Sequence, residues 1–116
     1  MKSVITVENA ERVLLVGVAL KRRPRGGAPA TNLTGQESLA ELGELARSAG
    51  ANVVGSRLQL RDALDSATMV GRGVLEELKH EAERLDAGLI ILDRNLSPVQ
   101  HRNIERGTDC RVIDRT

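Results

Sequence analysis

The densest chemistry in this chain is cationic. Lys21-Arg22-Arg23-Pro24-Arg25 sets four cations in five residues. Like charges this close repel one another, and an anionic partner relieves the repulsion. A phosphate backbone is the commonest such partner. Anion or RNA contact through Lys21, Arg22, Arg23 and Arg25 is therefore expected, with plain solvated flexibility as the alternative. Gly71-Arg72-Gly73 is a second candidate. At a helix start the free backbone N–H groups point outward and form an anion nest. The duller reading is that the two glycines only permit a tight turn. The sequence contains no G-x-x-x-x-G-K-[S/T] phosphate loop and no G-x-G-x-x-G.

Other reactive residue types are isolated. His80 and His101 lack the Cys or His companions that a zinc site needs, and no metal ligand set is assigned. His80 sits among Glu76 and Glu77, as on a solvated helix face. Cys110 is expected to pack as a small hydrophobe. A nucleophile-base-acid set from Ser97, His101 and Asp93 fails, because Ser97 reads as a helix cap whose hydroxyl turns toward its own helix. Asp93 is placed like the acceptor of a phospho-receiver domain, but such domains carry an acidic pair after their first strand. Here that position is Lys21-Arg22-Arg23. No catalytic residue is assigned.

The elements that must position these residues follow from hydrophobic spacing. Val13 to Leu20 is a continuous apolar run, as in a strand covered on both faces. Residues 21–35 form a connection longer than the ~2–6 residues usual after a strand. Thr34-Gly35-Gln36-Glu37 fits a capping box, and the helix behind it carries Leu39, Leu42, Leu45, Ala46 and Ala49 on its inner face, with Gly50 as its stop. Asn52 to Leu60 is a less apolar strand, expected near a sheet edge. After a polar loop, Thr68-Met69-Val70 could add a short extended piece. Gly71 then opens a helix turning Val74, Leu75, Leu78, Ala82 and Leu85 inward. Leu89 to Leu92 is a third strand. Ser97-Pro98-Val99-Gln100 is a capping box with Pro at the first helical position, and this helix ends near Gly107. Cys110 to Ile113 is the fourth strand.

Strands alternating with helices give an α/β class and right-handed crossovers. The expected architecture is a single three-layer domain with a four-stranded, mainly parallel sheet in the order 2-1-3-4 and helices on both faces. Residues 1–11 are a lead in which Val4 to Val7 could be an extra edge strand, and residues 12–116 are the domain. In open parallel sheets ligands collect at the carboxyl ends of the strands. Those ends carry Arg61, Asp93, Arg94 and Arg115, a charged cluster that could equally be ordinary surface.

Bulk composition narrows the classes. One domain of 116 residues, with 41% hydrophobic and 28% charged residues, sits in the ordinary globular range. No apolar run approaches the ~20 residues of a membrane span, and a single cysteine fits a reducing compartment, so a cytoplasmic location is expected. Phe, Tyr and Trp are absent. Base stacking on aromatic rings is thereby removed, and any RNA contact must use phosphates, arginines and backbone. A net charge of +1 confines it to a local patch.

Three separated words in order then point to a family. Ala67 to Leu78 reads A-T-x-x-G-x-G-x-x-E-E-L, Leu96 to Asn103 reads L-S-P-x-Q-x-R-N, and Val112 to Thr116 reads V-I-D-R-T. With ESLAELGELARSAGANVVG, they make the chain resemble, over about residues 12–116, the N-terminal domain of the HflX family of ribosome-associated GTPases. The resemblance implies a translation-associated GTPase that binds the large ribosomal subunit and can dissociate ribosomes under stress. It places a P-loop GTPase domain, with its GTP and Mg²⁺, beyond Thr116, so no cofactor is expected in the residues present. The ending on Asp114-Arg115-Thr116 with no closing element agrees with a piece cut from a longer protein. Where relatives often carry Ser-Gly-Lys, this chain has Arg72-Gly73-Val74.

The resemblance thus implies a ribosome- and rRNA-binding module that positions its GTPase domain. A small ATP-binding domain using Gly71 to Gly73 is one alternative. A purely structural domain docked on its own GTPase partner is the other.

Overall fold

The computed structural model describes residues 11–20 and 33–115. The basic segment Lys21 to Arg25 and the Val4 to Val7 segment lie outside them. Within the described residues the chain runs β1 (Arg12–Leu20), α1 (Leu33–Ser48), β2 (Asn52–Arg61), α2 (Arg72–Leu85), β3 (Leu89–Leu92), α3 (Pro98–Thr108), β4 (Arg111–Ile113). All pairings between these strands are parallel, and the sheet order is β2-β1-β3-β4, as expected from the alternation.

Right-handed crossovers dictate which helix lies where. The chain steps one way from β1 to β2 and the opposite way from β2 to β3 and from β3 to β4. Accordingly α1 covers one face, and α2 and α3 share the other. Side-chain alternation builds two cores. Val13, Leu15, Leu89 and Ile91 pack against Leu39, Leu42 and Ala46 of α1. Leu14, Val16, Val18, Ile90, Leu92 and Val112 pack against Leu75, Leu78, Ala82 and Ile104. All four residues of β3 are fully buried, each side chain contributing about 1.5–3 kcal/mol of burial.

β1 and β2 run on past β3. The β1–β3 ladder ends at Val16–Leu92, whereas β1–β2 continues to Leu20–Arg61. This overhang projects Arg61 toward the head of α2. Arg12, at the other end of β1, gives its guanidinium to the Leu85 and Asp86 carbonyls at 2.7–3.1 Å. It thereby satisfies carbonyl groups that the end of α2 leaves open, with a cation where the helix dipole favours one.

Three local expectations change. Leu45 is 54% exposed. It lies one position before the buried Ala46, hence about 100° around the helix from it, off the stripe filled by Leu39, Leu42 and Ala46. Helix α1 also opens at Leu33, ahead of the Thr34 cap read from the sequence. The piece around Thr68-Met69-Val70 is a tight turn closed by an antiparallel bridge between Asp65 and Met69.

Candidate functional site

The three sequence words meet at the carboxyl end of the sheet. The centre of the arrangement is the turn from Asp65 to Gly71. The Oδ1 of Asp65 accepts from the Ala67 and Thr68 amides, both at 2.8 Å, and from the Thr68 hydroxyl at 3.2 Å. The Thr68 hydroxyl oxygen accepts in turn from the Gly71 amide at 2.9 Å. These bonds favour the ionised Asp65 and hold its carboxyl below the usual carboxylate range, the Thr68 and Ala67 amides having the largest effect.

Helix α3 grips this turn from the side. The Nε2 of Gln100 donates to the Asp65 carbonyl at 3.0 Å, and the Nδ2 of Asn103 donates to the Ala67 carbonyl at 3.0 Å. Gln100 serves twice, because its Oε1 accepts from the Ser97 amide while the Ser97 hydroxyl accepts from the Gln100 amide. The capping box read from sequence is thus present, and Ser97 is committed to it. The third word joins through Asp114, whose Oδ2 accepts from the Leu96 amide at 2.8 Å. His101 and Glu105, on the far side of α3, take the outer edge of β4. His101 Nε2 donates to the Val112 carbonyl at 2.7 Å, and Glu105 Oε2 accepts from the Val112 amide at 3.0 Å. Together they supply the two bonds that a further strand would offer there.

Gly71 caps α2 at φ 86°; its own amide is held by Thr68, and it has no side chain to bond the amides that follow. A Cβ at this position would lie 2.9 Å from a guanidinium nitrogen of Arg61. Glycine is favoured by the positive φ, and its missing side chain lets the Arg61 guanidinium lie against the helix end. The Nε of Arg61 is buried without a hydrogen-bond partner among the described residues. A cation and the amide end of a helix thus face the same space, an arrangement that favours an anion.

The predicted strand-end cluster is brought together, but mostly by bonding to its own chain. Arg115 pairs with Asp93, whose side chain is only 5% exposed, and also reaches the Ser38 hydroxyl at 3.4 Å. Arg94 donates its Nε to the Val18 carbonyl at 2.9 Å. These arginines staple β3, β4, β1 and α1 together. Arg72 and Gly73 are exposed at the head of α2. Cys110 is half-buried; burial pushes its thiol pKa up, and its sulfur contacts the Thr108 carbonyl at 3.4 Å. His80 is solvated beside Glu83.

Sequence reasoning missed Asp65, Thr68, Gln100 and Asn103 as the holders of the site. They are letters or neighbours of the quoted words, but their partners lie up to 36 residues away, so spacing alone could not pair them. Among the described residues no group of three or more His, Cys, Asp or Glu is placed to hold a metal ion, and no helix is long and apolar enough to cross a membrane.

Comparison with known proteins bears on the same words. The sequence pattern of the family described as GTP-binding GTPase N-terminal matches residues 36–116. Among curated proteins, the GTPase HflX of Lacrimispora saccharolytica is 40% identical over 114 residues, covering 94% of this chain and 24% of that protein. That of Alkalihalophilus pseudofirmus is 36% identical over 97% of this chain and 25% of its own length. That of Escherichia coli is 38% identical over 69% of this chain and 19% of its own length. The chain therefore spans about a quarter or less of the length of these relatives.

Proposed function

Because the chain belongs to the GTP-binding GTPase N-terminal family, the N-terminal domain of HflX GTPases, we propose that it is a ribosome-binding module. In this reading it contacts rRNA phosphates of the large subunit and positions a GTPase domain that dissociates or rescues ribosomes under stress in the cytoplasm. GTP and Mg²⁺ would belong to that other domain. The G-x-x-x-x-G-K-[S/T] phosphate loop that such a domain uses is not in this sequence.

One observation carries the reading. The side chains of the three family words are spent on holding the carboxyl end of the sheet in a fixed shape. Among the described residues, that end brings Arg61 and the amide end of α2 to one space, with Arg72 exposed at the same helix head. Such a surface positions a polyanion by its backbone. The basic segment Lys21, Arg22, Arg23, Arg25 follows β1 in the sequence and would add to it.

The test is association of the chain with purified large subunits across a salt series. Replacing Arg22, Arg23 and Arg25 by Ala is expected to lower affinity and to reduce the salt slope by about one for each phosphate no longer neutralised. Unchanged affinity and slope would remove the basic segment from the interface, and absence of association by the unaltered chain would overturn the reading.

The Gly71 nest supports a second reading, a small nucleotide-binding domain. Arg61 and the uncapped head of α2 would hold a phosphate of ATP. Calorimetry with ATP and GTP decides it, and no heat at millimolar nucleotide removes it.

A further inference from the structure

The net charge of +1 is spread unevenly: on the side of the sheet shared by α2 and α3, the acids Glu76, Glu77 and Glu83 are exposed on α2 and the cations Arg102 and Arg106 on α3. The outward side of α1 is mainly acidic, with Glu37, Glu41 and Glu44 exposed against one exposed cation, Arg47, in its last turn. The outward side of α3 is basic, with Arg102 and Arg106 exposed. The acid of α3 does not offset them. Glu105 is turned to the edge of β4, where it holds the Val112 amide, and Asp109 caps the far end of the helix. The inner and lateral sides of α3 are occupied by Ile104, by Gln100 and Asn103 toward the turn, and by His101 toward β4.

Arg102 and Arg106 are four residues apart, so their side chains share one face with about 6 Å of rise between them. Among the described residues neither makes a hydrogen bond or ion pair, and the same holds for Arg72 at the head of α2. The strand-end arginines differ, since Arg94 and Arg115 are engaged with Val18 and Asp93. Among the described residues, the cations left available include Arg61 at the end of β2 and Arg72, Arg102 and Arg106 on the helices. In L-S-P-x-Q-x-R-N, Leu96, Ser97, Gln100 and Asn103 have internal bonds and Pro98 sits at its favoured first helical position. Arg102 alone among its named letters points outward without a partner among the described residues.

We infer that the outward face of α3, Arg102 and Arg106 joined by Arg72, is an RNA-backbone contact surface, lying on the opposite side of the sheet from the acidic face of α1. This rests on the ribosome-binding reading and gives it an orientation: α3 faces RNA, and α1 faces away. The contact is made by side chains; at the head of α3 the Gln100 amide is taken by Ser97, the Ser97 amide by Gln100, and Pro98 has none.

The test uses the 116-residue chain with two probes, purified large ribosomal subunits and a duplex RNA of generic sequence, each titrated from 50 to 200 mM salt. Arg102→Gln with Arg106→Gln is expected to reduce the salt slope by about two, so that affinity falls about tenfold less across this range than in the parent. Arg72→Gln is expected to reduce it by about one. Arg102→Lys with Arg106→Lys should keep the slope, and Glu41→Gln with Glu44→Gln on α1 should leave it unchanged. Thermal melts of each variant exclude unfolding as the cause. Binding of RNA by the parent with no change in slope for the Arg102/Arg106 variant overturns the inference and leaves the ribosome-binding reading standing. No binding of subunits by the parent overturns both. Equal loss of binding to phosphatidylserine vesicles would assign the face to a membrane surface and overturn the RNA assignment.

Discussion

Arg61 keeps its Nε buried and unpartnered among the described residues, an arrangement that costs about 1–3 kcal/mol when a polar group is left unsatisfied. Its charge adds only the smallest of the effects that keep Asp65 ionised, behind the Thr68 and Ala67 amides. Arg61→Met is therefore expected to melt at the same temperature as the parent or higher, while its affinity for nucleotide phosphate or RNA falls. A lower melting temperature with unchanged binding would make Arg61 purely structural. Asp65 behaves differently, because its carboxylate is bonded to two amides and a hydroxyl. Its pKa lies below the ordinary range in the folded state. Its contribution is thus present above the ordinary carboxylate pKa and is lost as pH falls through the lowered value. Asp65→Asn keeps an acceptor without the charge. The stability gap between parent and variant should close on acidification into that range, and a gap constant with pH would refute this account of the turn.

Helices α2 and α3 meet where α3 has no side chain. A Cβ on Gly107 would lie 2.5 Å from Cδ2 and 2.8 Å from Cγ of Leu75, which is 7% exposed. Overpacking of this kind costs about 1–3 kcal/mol, against at most about 1 kcal/mol gained from the higher helix propensity of Ala. Gly107→Ala is expected to lower stability by about 1–2 kcal/mol in denaturant titrations. In the Leu75→Ala background the same change should be neutral or stabilising, since the clash is gone. Destabilisation of equal size in both backgrounds would place the cost elsewhere. The same helix pair sets the site, because α3 can hold the Asp65 turn with Gln100 and Asn103 only if it lies this close to α2.

At the scale of the molecule, the sheet order and the sides taken by the helices were legible because hydrophobic runs and crossover handedness leave few choices. The continuous run from Val13 to Val18 had to be central, and the mixed run from Asn52 to Arg61 had to be at an edge. The Ser97 box was legible for a similar reason, since its partners are three residues apart. The site was legible only as a location. The position of Arg61, Asp93, Arg94 and Arg115 after their strands could be read from the sequence, but the approach of Arg61 to Gly71, of Arg94 to Val18 and of Arg115 to Asp93 could not, because those partners come from distant parts of the chain. The separation of charge between α1 and α3 is also a property of the whole. It depends on the crossovers placing the two helices on opposite faces, and on β4 drawing Glu105 away from its neighbours.

The sequence by itself determined the alternation of strands and helices, the parallel sheet and its order, and the family to which its three words belong. These follow from local periodicity, short-range capping and the handedness of crossovers. Only the tertiary structure decided which cations are free. Whether an arginine is a staple or a contact depends on which carbonyl or carboxylate the fold brings within about 3 Å of it, and that is set by packing between residues far apart in the chain.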